Sequence, residues 1–348
     1  MSRLRANLAF AAVAVSAVLL SIAILAAYIE SAPSWSVVRL GYLPNVTHAQ
    51  ALYGVATGAY QAALGSPYTI KARVFNAGPD AIKALLANRV DLVFVGPSPT
   101  LSSLAFVGPD VLRVIAGGAS GGAMFVVQST VNLTTSADYS GKKFATPQLG
   151  NTQDVALKHF LLTQGHRTSD IGGDVEVINV ANPNILLSFQ RRQIDGAWVP
   201  EPWASRLVLE AGGKVFLDER SLWPNGRFVT TQLVTTKRYL DAHRDIVKRF
   251  LEADVNLTFR LQNASASDLA IINDAITNVT LNRLANATIA AAFGNLNLTY
   301  DPIKSSLVTY LTWAQELGLL PAGVDTSGLY DLSLLNEILA SRGLSPVN

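Results

Sequence analysis

Four short segments place small polar residues where a helix would begin: "GYLPNVTH" (41–48), "FNAGPDA" (75–81), "VGPSPT" (95–100) and "TPQLGNTQD" (146–154). Each pairs Gly or Pro with Asn, Ser or Thr, and none supplies a lysine or arginine. Any one of them reads most simply as a capped helix, because Ser, Thr, Asn and Asp accept from the first N–H groups and Pro suits the first turn. Four together have a second use. A helix start carries partial positive charge and unpaired N–H donors, so several aimed at one point can hold a small anion without a full counter-charge. The residues singled out are His48, at the mouth of the first helix, and the run Gly150, Asn151, Thr152 and Gln153.

A second cluster, "WVPEPW" (198–203), sets two tryptophans around Glu201 at a strand end. Packing is the ordinary use of such residues. Glu201 could also accept from a ligand amine or hydroxyl, or tie two lobes together. An ionised Glu201 touching a bare anion would repel it, so it argues for a zwitterionic or hydroxylated ligand, or for a lobe-closing role.

Other chemistries are excluded. "GASGG" (118–122) matches the G-x-S-x-G nucleophile pattern, but a strand-like "AMFVVQ" follows where that motif needs a helix, so it reads as a glycine turn or crossing. There is no G-x-G-x-x-G loop after the first strand and no Gly-Lys-Ser/Thr phosphate loop. His48, His159, His166 and His243 show no HExxH spacing, and His159 and His166 read as helix surface. The absence of cysteine rules out disulfides, Cys-bound zinc, a Cys nucleophile and a thioether lipid. A net charge of +2 with 15% charged residues offers no basic field for nucleic acid. No metal, cofactor or catalytic residue is expected.

The elements that must position these residues alternate. Strands are expected over 36–42, 69–75, 90–96, 111–117 and 123–128, with helices over 47–64, from 76 to about 88, and from 97 onward. The scheme repeats with strands at 142–146, 174–180, 194–199, 214–217 and 227–236 and helices at 152–164, 182–192 and from 201. Residues 237–348 read as largely helical. The expectation is an α/β chain of two lobes with mostly parallel sheets, crossing between lobes near 121–128 and 224–234. Lobe 1 would comprise 36–125 plus 228–348 and lobe 2 126–227. Ligands in such sheets sit outside the carboxyl ends of the strands.

Residues 6–29 form an uncharged apolar run behind Arg3 and Arg5. It is longer than the typical h-region of about 7–15 residues and matches the roughly 20 residues needed to span a bilayer. Residues 1–35 are therefore expected to be a membrane anchor and linker, with the rest on the extracytoplasmic face; secretion after cleavage is the alternative. Seven Asn-x-Ser/Thr sequons follow it, at Asn45, Asn132, Asn256, Asn263, Asn278, Asn286 and Asn297. Chance would give about two or three. All but Asn45, which lies in a functional turn, are expected to be glycosylated.

With "GYLPNVTHAQAL", "FNAGPDAIKALLANRVDLVFVGPSPT", "GKKFATPQLGNTQDVALKHFL" and "IDGAWVPEPWASRL" in view, the chain resembles the extracytoplasmic substrate-binding proteins of the nitrate/sulfonate/taurine class of ABC importers, over about residues 37–340. The resemblance implies a two-lobed periplasmic-binding-protein fold of type II that closes on a ligand in the interlobe cleft. It places first-lobe contacts at Tyr42, Asn45, Gly78, Gly96 and Ser98 and second-lobe contacts at Asn151, Thr152, Gln153 and Glu201, with Trp203 lining the cleft. It implies a monomer that is no enzyme, with a small anionic or zwitterionic ligand (aliphatic sulfonate or taurine-like preferred, nitrate or bicarbonate also in the class) and ABC permease and ATPase subunits as partners. The family is usually lipid-tethered or free in a periplasm; the anchor and sequons here depart from that and resemble archaeal practice. The alternative is a thiamin-pyrimidine-precursor binder or synthase-like enzyme of the same fold, whose enzymes use a Cys-rich stretch that this chain lacks.

Overall fold

A computed structural model describes residues 36–348. The expected anchor over 1–35 lies outside the described residues. Among those described, no helix is long and apolar enough to cross a membrane.

The strand–helix alternation is present. In chain order the main elements are β1 (Val37–Tyr42), α1 (Ala49–Ala56), α2 (Ala59–Leu64), β2 (Thr69–Val74), α3 (Gly78–Leu86), β3 (Leu92–Val95), α4 (Pro97–Val107), β4 (Leu112–Gly121) and β5 (Ala123–Gln128). Then follow β6 (Lys143–Thr146), α5 (Thr152–Thr163), β7 (Glu176–Asn179), α6 (Asn182–Gln190), β8 (Gly196–Pro200), α7 (Trp203–Leu209) and β9 (Gly213–Asp218). The remainder comprises β10 (Val229–Thr236), α8 (Lys237–Ala242), α9 (Arg244–Gln262), α10 (Ala266–Thr280), α11 (Asn286–Gly294), β11 (Leu296–Leu298), α12 (Lys304–Glu316) and α13 (Ser333–Ser341).

The strands form two sheets, ordered β11-β4-β10-β3-β1-β2 and β7-β6-β8-β5-β9. Both are mixed, not mostly parallel as expected. β1 pairs parallel with β2 and β3, and β6 with β7 and β8. Every pairing of β10, β11 and β5 is antiparallel. The reason is the path of the chain: β10 returns from the second sheet and inserts between β3 and β4. Glycines 121 and 122 carry the outward crossing from β4 to β5, both at φ above +70°, a region that residues with a Cβ rarely enter. Ser120, the candidate nucleophile of "GASGG", is within β4 and accepts from the Phe228 N–H at 3.2 Å.

Two further expectations need correction. The helix over 47–64 is broken between α1 and α2, where Gly58 takes φ 72°. The largely helical C-terminal part contains β11, whose alternation of buried Leu296, exposed Asn297 and buried Leu298 adds an edge strand to the first sheet. Three apolar clusters hold the whole together. One covers a face of the first sheet with α1, α9 and α13, and one the outer face of the second. The third runs from the first sheet through Tyr310 and Trp313 of α12 into Phe125, Phe144 and Trp198 of the second sheet. Helix α12 packs on both α4 and α5, so the C-terminal region buttresses both sheets.

Candidate functional site

The carboxyl ends of β1, β3, β6 and β8 face one another across the two sheets, and between them lies a cavity of about 30 Å³. Its lining comes from the first sheet's loops at Leu43, Asn45, Thr47, His48, Gly78, Gly96 and Pro99 and from Thr230 and Thr231 of β10. The second sheet's side contributes Asn151, Thr152, Gln153 and Pro200. No carboxylate, lysine or arginine lines it.

Three helices begin at this cavity. In α5 the Asn151 side chain caps the start by accepting from the Asp154 N–H at 2.8 Å, which leaves the N–H groups of Thr152 and Gln153 as the open donors. In α4, Gly96 precedes Pro97 and Pro99, which have no N–H, so the remaining open donor is Ser98. In α3 the first turn holds Gly78 and Pro79. Gly96 is required for a different reason: a Cβ there would collide with Thr152 Oγ1 from the opposite sheet. The two helix starts thus approach as closely as the backbone permits.

His48 is fully buried, and burial pushes its pKa down to about 3, so the ring is neutral. The Leu43 N–H donates to Nδ1 at 3.4 Å, which assigns the proton to Nε2. Among the described residues Nε2 has no partner. Asn45 is arranged similarly. Its Oδ1 accepts from Trp203 Nε1 at 3.0 Å, so Nδ2 is the end left open. Thr231 adds a buried hydroxyl without a protein partner.

The loop carrying Asn151 is fixed from behind by buried Asp154. This carboxylate accepts from Thr146 Oγ1 at 2.8 Å, Asn179 Nδ2 at 2.7 Å and the Gly150 N–H at 2.9 Å, and pairs with Lys158 at 3.1 Å. Its charge is spent within this network.

Seven expected residues therefore meet at the cavity: Asn45, His48, Gly78, Gly96, Asn151, Thr152 and Gln153. Five do not line it. Tyr42 is buried in the first sheet's core. Ser98 lies beneath the lining, with Oγ buried and unpartnered. Gly150, at φ +73°, faces a neighbouring groove with Leu149, Pro79, Pro99 and Phe106. Trp203 stands behind Asn45. Glu201 is fully buried, and burial raises its pKa; its carboxylate accepts from the Ser205 N–H and Oγ at 3.0 and 2.9 Å and from Asn295 Nδ2 at 2.7 Å. It joins the end of β8 to the turn before β11, on the first-sheet side. Thr230 and Thr231 were missed; the doublet at the start of the returning strand was the available signal. His159 and His166 are not helix surface: His159 stacks on Trp313 at 4.4 Å and meets Glu316 at 3.0 Å, and His166 is buried against Asp174 and the Ser136 carbonyl.

A family model described as the NMT1-like family matches residues 31–272. The chain belongs to the NMT1-like family. It is 28% identical over 192 residues to the taurine-binding periplasmic protein of Escherichia coli (strain K12), covering 54% of this chain and 56% of that protein, so the match spans little more than half of that relative. Among solved structures, the alkanesulfonate-binding protein of Xanthomonas axonopodis pv. citri bound to MOPS superposes with TM-score 0.68 at 20% identity, covering 82% of this chain and 94% of that one. The periplasmic nitrate-binding protein of Synechocystis PCC 6803 does so with TM-score 0.72 at 16% identity, covering 88% and 89%. At these identities the likeness establishes the fold: the two-sheet, periplasmic-binding-protein-like architecture expected for this NMT1-like chain.

Proposed function

We propose that this NMT1-like protein captures a small anion or zwitterion between two lobes, residues 36–122 with 228–348 and residues 123–227, and delivers it to an ABC permease on the extracytoplasmic side of the membrane; the lobe boundary expected at 125 falls at Gly122 because β5 lies wholly in the second sheet. One observation carries the reading: helix starts and neutral donors from both sheets converge on a cavity lined by no charged side chain. Such a site neutralises a guest with peptide dipoles and N–H groups, and a guest held without a counter-ion can leave again. The relatives' names point to sulfonates and nitrate as the anion class, and we place a sulfonate head first.

The amine of a taurine-like ligand needs an acceptor, and the Glu201 carboxylate is taken by Ser205 and Asn295. No carboxylate lines the cavity, so ethanesulfonate should bind at least as tightly as taurine. Calorimetric titration of the full-length chain against ethanesulfonate, taurine, nitrate and bicarbonate tests both points. Heat from at least one anion supports the reading; silence across the set overturns it.

A further inference from the structure

The sequons that binding does not use are distributed by a rule. Asn45, the one inside the cavity, is 4% exposed. Asn132, Asn256, Asn263, Asn278, Asn286 and Asn297 are all exposed. Their amide nitrogens are also free: among the described residues none of the six donates a hydrogen bond from Nδ2, and Asn132 is held only through Oδ1 by Lys214. Nδ2 is committed in the non-sequon residues Asn179, Asn273, Asn282, Asn295 and Asn336, while among the described residues the exposed Asn76, Asn88, Asn184 and Asn225 donate no bond from theirs. The nitrogen that would carry a sugar is open wherever the motif stands outside the cavity.

Three exposed apolar residues, Phe259, Val279 and Leu281, stand at these sites. Phe259 lies in α9 between Asn256 of that helix and Asn263, the residue that ends it. Val279 is the middle residue of the Asn278 sequon, and Leu281, 88% exposed, follows it. Asn297 points outward from β11, the open edge of the first sheet, where unpaired backbone invites another strand. The other exposed apolar residues have no sequon beside them in the sequence: Phe106 and Leu149 belong to the groove next to the cavity, and Ile171, Leu187, Leu209, Val215, Leu222, Val308 and Leu319 lie elsewhere on the surface.

We propose that these six asparagines carry N-linked glycans, and that those between 256 and 297 cover Phe259, Val279, Leu281 and the β11 edge while leaving the cavity's surroundings bare. At each site Nδ2 forms a bond to the anomeric carbon of a saccharide, displaces the phosphate of a lipid-linked donor and loses one proton. Thr258 and Thr288, the hydroxyl residues of two of these sequons, are 0% and 1% exposed, so transfer to Asn256 and Asn286 needs α9 and α11 to open locally.

Peptide mass mapping of the full chain isolated from its own host tests this, beside the same chain made in a host lacking the transferase. The expected result is a saccharide increment on the six peptides, absent from the Asn45 peptide and lost one at a time in Asn→Gln variants. Unmodified masses over the 256–297 peptides, or a sugar on Asn45, would overturn it. The covering role has its own readout: the bare protein should self-associate more in sedimentation, and equal monomer fractions for both forms would refute it. Anion affinity should be the same in both forms.

Discussion

Replacing Gly96 by alanine puts a methyl group between the two halves of the cavity. Gly96 has φ −72° and ψ 164°, an extended conformation open to alanine, so the backbone carries no strain. The collision is with one atom, Thr152 Oγ1; the other near neighbours, the Thr230 carbonyl at 3.4 Å and Thr152 Cβ at 3.5 Å, are at ordinary contact distance. Overpacking of this kind costs about 1–3 kcal/mol, and it falls on the arrangement in which the two helix starts meet. Affinity for the anion should drop by about 5- to 150-fold. Thr152→Ala removes the offending oxygen, so in that background the added cost of Gly96→Ala should shrink to within about 0.5 kcal/mol, the tolerance for independent sites. Titration calorimetry on the four proteins of this cycle measures the coupling. Wild-type affinity in Gly96→Ala, or an equal penalty in both backgrounds, would refute the idea that these helix starts close on the guest together.

Trp203→Phe keeps a ring beside Arg206 but deletes the donor to Asn45, and should weaken anion binding by about fivefold, for a hydrogen bond worth about 1 kcal/mol; unchanged affinity would show that Asn45 needs no orienting. Because the His48 imidazole is neutral far below its ordinary pKa, affinity should be flat between pH 8 and 5 at constant ionic strength, and a tenfold rise on acidification would mean an imidazolium at the site. Glu219 is buried, accepts from Trp198 Nε1 and Tyr310 Oη at 2.7 and 2.5 Å, and burial pushes its pKa up to about 7. The native state then keeps its proton where the unfolded chain has lost it, so its contribution to stability is complete below about 4.5 and declines as pH rises to 7, by roughly 3 kcal/mol. Urea unfolding of Glu219→Gln should lack that decline, and parallel pH profiles for variant and wild type would refute the assignment.

The helix starts were legible because their chemistry is local: Gly, Pro and Asn at 96–99 and 150–153 signal a turn and a cap wherever they stand. Side-chain direction was not. Glu201 and Trp203 lie at the right strand end, yet which way each points depends on Asn295 and Asn45, 94 and 158 residues away. Sheet polarity failed for a related reason. The pattern of β10 shows a strand but not its neighbours, and only the return path makes it antiparallel in the middle of a sheet. The histidines at 159 and 166 were misplaced because their partners, Trp313 and Asp174, are on other elements.

The central position of β10 also dictates an order of assembly. The second sheet draws all five strands from one uninterrupted stretch, 123–218, so it can close as soon as that stretch has emerged. The first sheet cannot, since β3 and β4 have no mutual pairing and wait for Val229–Thr236 to bridge them. The earliest part of the chain to be made is thus among the last to become native, with its apolar strands unprotected in the meantime.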